Sequence, residues 1–253
     1  MKKSDEVMVY WTAWIPQSKH HAAQQMNVTP LMYEEPTPVF DSLFKGKSDQ
    51  TVTRTYLQCP AVKNALTSLY VVFNKLTSSG SVEIKEDYVV GALTQPQTNM
   101  SHVLMEMPHA PTLSNQLLVQ YNMNYCFFAE EPLEMRMTSP WFHHAPHMQL
   151  GGLVPGVFDI GKWYRPVNLE FNLWSGITEL KIEEGEPLAY FEFGTDKKIV
   201  FKQYVVTEKL QEYASACVHA RSSKWHSLQA RYDLFGKSRM KDFIMKEIKE
   251  NLL

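Results

Sequence analysis

The rhythm of apolar and polar positions changes along the chain, and each rhythm predicts a kind of element. Residues 6–14 (Glu-Val-Met-Val-Tyr-Trp-Thr-Ala-Trp) are rich in aromatic and β-branched side chains and stop short of Pro16, which predicts a first strand. Between Pro16 and about Asp49, prolines 16, 30, 36 and 38 interrupt every periodic run, so an extended, loop-rich segment lying on the body is expected. Pro60 suits the first position of a short helix reaching about Leu66, because a proline there has no N–H whose bond would be lost.

The middle of the chain has a strand texture. Tyr70–Phe73, Val82–Ile84, Tyr88–Val90, His102–Met107 and Gln116–Gln120 are short runs separated by turn residues. Leu133-Glu-Met-Arg-Met137 and Val167-Asn-Leu-Glu-Phe-Asn-Leu173 alternate strictly, so each should turn one face to a core and one to solvent. Ile177–Ile182, Leu188–Phe193 and Ile199–Val206 complete a series of about ten strands at short spacing. No helical pattern separates successive strands, which favours an antiparallel β-sandwich or distorted barrel over a doubly wound parallel sheet.

After residue 206 the period becomes helical. Thr207 is placed to cap a helix whose apolar face is Leu210, Tyr213, Ala214, Cys217 and Val218. Trp225, Leu228, Tyr232 and Phe235 repeat the spacing until Gly236, and Met240, Phe243, Ile244 and Ile248 form a third stripe. The expected fold class is therefore mainly β (α+β). A β-rich body over 1–206 carries a layer of two or three helices over 207–253, and together they make one structural domain.

Composition narrows the function classes. The chain has 253 residues, 25 basic and 27 acidic, a net charge of −2, so no general electrostatic pull toward nucleic acid or an anionic membrane exists. No run approaches the ~18 apolar residues of a membrane span, and residues 1–6 lead into no signal-peptide core, so cytosolic residence is expected. The three cysteines, Cys59, Cys126 and Cys217, are odd in number and widely spaced, which fits reduced, buried thiols rather than a disulfide framework.

Two stretches concentrate groups capable of chemistry. In Trp141-Phe-His143-His144-Ala-Pro-His147, imidazoles three apart on one turn can meet a single ion, so His143, His144 and His147 are candidate ligands for zinc or iron. The alternative is a loop packed on Trp141 whose histidines bond to backbone carbonyls. His20 and His21 join this set only if the fold brings them beside it. The second stretch, Gly151 to Pro166, holds four glycines and is expected to be an irregular, rigid crossing. Within it Asp159 and Arg165 are close enough to pair with each other or to bind a ligand together. The chain contains no Gly-x-Ser-x-Gly elbow, phosphate loop or Gly-x-Gly-x-x-Gly turn. Lys237, Arg239, Lys241, Lys246 and Lys249 are interleaved with Asp242, Glu247 and Glu250, the pattern of a solvated helix face with i,i+4 pairs rather than a nucleic-acid surface.

Two resemblances add to this reading. Trp163 to Phe171, followed by Ile182 to Phe193, resembles a group of uncharacterised, cyanophage-like proteins encoded by large tailed phages of marine bacteria. The opening Val9-Tyr-Trp-Thr-Ala-Trp14 and the segment from Cys59-Pro-Ala fit the same group, so the likeness covers most of the chain. It implies a phage origin and supplies no activity. Gly156-Val-Phe-Asp159, Leu169-Glu-Phe171 and Gly185 to Phe193 are also similar to the strand, Asp and β-return of the dUTPase/dCTP deaminase family. That resemblance would give Asp159 the role of positioning the attacking water. However, Thr138-Ser-Pro140 stands where that family has a phosphate-binding Arg-Ser-Ser, and no glycine-rich closing tail follows.

The leading expectation is a non-enzymatic phage protein acting through surfaces, as a virion component or a host-protein binder. It would have a protein partner or associate with itself, in the host cytoplasm or the particle. The alternatives are a nucleotide-binding or nucleotide-hydrolysing protein using Asp159, and a metalloenzyme using His143, His144 and His147. No cofactor is favoured.

Overall fold

The computed structural model describes residues 5–13, 34–44, 59–74, 78–85, 88–93, 104–106, 117–177, 179–219 and 228–253. His20, His21 and Trp225 lie outside them, as does most of the expected extended segment. The strands are β1 (Glu6–Ala13), β2 (Thr37–Pro38), β3 (Leu69–Phe73), β4 (Ser78–Lys85), β5 (Tyr88–Leu93), β6 (Leu104–Glu106), β7 (Leu117–Ala129), β8 (Glu134–Thr138), β9 (Gly151–Leu153), β10 (Gly156–Asp159), β11 (Pro166–Leu173), β12 (Glu179–Ile182), β13 (Pro187–Phe193) and β14 (Lys198–Gln203). The helices are α1 (Val39–Phe44), α2 (Pro60–Thr67), α3 (Glu208–His219), α4 (Leu228–Lys237) and α5 (Met240–Glu250).

Two sheets make the body. The first has the order β14-β1-β7-β11-β9, with β6 also on β7, and the second runs β10-β8-β13-β3-β2. A smaller sheet has the order β12-β4-β5, and Leu180 and Ile182 of β12 join the main core. The sheets keep open edges, so the fold is sandwich-like and not a closed barrel. Among the described strands only β1 and β14 run parallel, from Glu6 opposite Lys198 to Trp11 opposite Gln203. Every other pair is antiparallel.

Strand periodicity accounts for the layers. Along β11, Val167, Leu169, Phe171 and Leu173 are buried while the residues between them are not, the single-faced alternation its sequence predicts. β1 reads as an apolar run because both its faces are covered. Val9, Trp11 and Ala13 enter the core between the sheets with Phe127, Met135 and Phe191, whereas Tyr10 points the other way, to the C-terminal helices. On that outer side Leu210, Ala214, Cys217, Phe235, Ile244 and Ile248 pack on Tyr10, Cys126 and Phe128. The second sheet is covered likewise: Tyr190 of β13 and Val71 of β3 turn outward onto Val39 of α1 and Leu66 of α2. Each of these large apolar side chains contributes about 1.5–3 kcal/mol by leaving water.

The helical tail forms three helices. Thr207 caps α3, its Oγ1 accepting from the Leu210 N–H at 3.2 Å. The chain end is fastened to the body where Tyr204 bridges Leu252, with the Leu253 N–H donating to the Gln203 carbonyl at 3.0 Å. No described helix is long and apolar enough to cross a membrane.

Four expectations need correction. The segment expected to be extended includes helix α1, because Pro38 precedes Val39 and costs the helix no hydrogen bond. The glycine-rich stretch is not wholly irregular, since it contributes β9 to the first sheet and β10 to the second. Cys59 is exposed at the N-terminus of α2, and only Cys126 and Cys217 are buried. On α5 the buried face is Ile244, Met245 and Ile248, while Phe243 is 46% exposed beneath the Arg239 guanidinium.

Candidate functional site

After β8 the chain leaves the second sheet, makes two 3₁₀ turns (Trp141–His143 and Pro146–Gln149) and enters the first sheet as β9. This crossing closes one end of the sandwich and carries the three histidines. His144 joins the two turns in the left-handed conformation (φ 50°), which sends its neighbours in different directions.

His143 faces α1. Its Nδ1 hydrogen-bonds the Tyr190 hydroxyl and its Nε2 lies 2.9 Å from Ser42 Oγ. Ser42 donates its only proton to the Val39 carbonyl, 2.8 Å away. His143 Nε2 must therefore carry the proton it gives to Ser42, and Nδ1 must accept from Tyr190. The relay runs from Tyr190 through His143 and Ser42 to a backbone carbonyl. It ties α1 to the crossing and leaves the serine protonated, so it does not create a nucleophile. Burial, with a smaller contribution from His144, pushes the His143 pKa down to about 4, so the ring is neutral at neutral pH.

His147 faces the opposite way, into the body. Its Nδ1 is 2.9 Å from Glu186 Oε2, and its ring meets Phe171 edge-on. Burial lowers its pKa and Glu186 opposes that shift, so a neutral ring donates from Nδ1 to the carboxylate. Its Nε2 is buried with no hydrogen-bond partner among the described residues. Glu186 is held in turn by Asn74, whose backbone N–H donates to the Glu186 carbonyl at 2.7 Å and whose side chain donates to the Ile182 and Glu183 carbonyls. His143 and His147 thus take different partners, and no group of three or more His, Cys, Asp or Glu side chains among the described residues is arranged to hold a metal ion.

Asp159 ends β10 and does not pair with Arg165. Its Oδ1 accepts from the Leu133 and Gly161 N–H groups at 3.2 and 3.0 Å, and its Oδ2 lies 2.8 Å from Lys162 Nζ. Both oxygens are thus engaged in fixing the turn after β10, and Lys162, one helical turn further along, takes the place expected of Arg165. The Arg165 guanidinium makes no hydrogen bond or ion pair with any described residue. Asp159 and Arg165 do share a pocket, lined also by Phe158, Trp163, Pro166 and Val167. Its volume is about 20 Å³, room for about one water and far below a nucleotide-sized cleft.

A third buried polar group lies beneath α3. The Tyr164 and Tyr204 hydroxyls are 3.0 Å apart, beside the thiol of Cys126. Burial pushes the Cys126 thiol up to about 12 and that of Cys217 up to about 11, which keeps both protonated and inert. On the tail, Lys249 pairs with Glu130 at 2.9 Å and Lys246 with Glu250 at 3.8 Å, so this face is laced with ion pairs.

Sequence reasoning missed Ser42, Tyr190, Glu186 and Lys162 as partners. Only Lys162 carried a local signal, its i+3 spacing from Asp159. No family model, no curated protein and no solved structure matches the chain.

Proposed function

We propose that this is a non-enzymatic phage protein that works through its surfaces, as a virion component or as a binder of host protein, in the host cytoplasm or the particle. One observation carries this reading: among the described residues, His143, His147 and Asp159 each hold a partner inside the fold. His143 is spent on Tyr190 and Ser42, His147 on Glu186, and both Asp159 oxygens on two amides and Lys162. What remains at the surface suits recognition. Trp141 and Trp174, each 45% exposed, flank the crossing between the sheets, and tryptophan is among the residues that contribute most to interfaces.

Quantitative mass spectrometry of gradient-purified particles, with native complexes isolated from infected cells, tests the proposal. A fixed copy number per particle or a stoichiometric complex with one host protein is expected. Absence from both refutes it.

A further inference from the structure

We draw no further inference here: the strongest candidate, the exposed apolar patch of Val205, Leu252 and Leu253 beside the outer edge of β14, where residues 251–253 pair with 203–205, carries nothing because nothing in the structure shows what covers it.

Discussion

His147 Nδ1 lies 2.9 Å from Glu186 Oε2, the imidazole fully buried and the carboxyl nearly so. Residues 39 positions apart thereby lock the crossing between the sheets to the turn that precedes β13. Replacing His147 by Ala removes a donor from a buried carboxylate and should cost about 3 kcal/mol of unfolding free energy. His147→Asn, which keeps an N–H near the position of Nδ1, should recover part of that loss. Urea denaturation measures both, and a loss below about 0.5 kcal/mol for His147→Ala would show that the contact stabilises nothing.

Acid should loosen the same region before the carboxylates titrate. Burial lowers the His143 pKa to about 4, so from the ordinary 6.5 down through that window the unfolded chain binds more protons than the native one, and the lowered His147 adds in the same direction. Stability from these residues is complete above pH 6.5 and falls as pH drops through the window, by at most about 1.4 kcal/mol per pH unit for each histidine. Denaturation midpoints measured from neutral pH to about pH 5 should decline, and His143→Gln should flatten the decline. A flat profile in the parent chain would contradict the assignment.

Thiol reactivity separates the three cysteines. Cys59 is exposed, whereas Cys126 and Cys217 are buried with thiols pushed up to about 12 and 11. Ellman's reagent should titrate one thiol in the native chain, three in denaturant, and none quickly in native Cys59→Ser. A second fast native thiol would mean that the helical layer does not seal the outer face of the first sheet.

Two glycines should respond in opposite directions. A Cβ on Gly161 would press on the Glu131 carbonyl and lie 2.8 Å from Pro132 Cα, so Gly161→Ala should destabilise by about 2–3 kcal/mol. A Cβ on Gly236, inside α4, meets nothing within 4 Å, so Gly236→Ala should stabilise by about 0.5–1 kcal/mol. Thermal melts of the two variants decide this, and a shared sign would be inconsistent with the packing described.

What the sequence made legible was whatever depends on local period. The alternation in β8 and β11, Pro60 at the start of α2 and the Thr207 cap are each encoded within a few residues. Pairing at long range left no such trace. The parallel contact of β1 with β14 joins the two ends of the β body, and β7 runs on through Asn122 and Asn124 to Ala129, where polar residues hide the strand. At the candidate sites the residue types were visible but their partners were not. His147 finds Glu186 and His143 finds Ser42 only after the sheets are assembled, and nothing in Trp141-Phe-His-His signals that His144 turns its neighbours apart.

The central claim, that the histidines are held by the fold in fixed and different roles, is tested most directly by long-range ¹H–¹⁵N NMR of the imidazoles at neutral pH. The expected result is two neutral rings of opposite tautomer, His143 protonated at Nε2 toward Ser42 and His147 protonated at Nδ1 toward Glu186. A cationic ring, one tautomer for both, or nitrogen shifts of metal-bound imidazole that vanish in His144→Ala would contradict it.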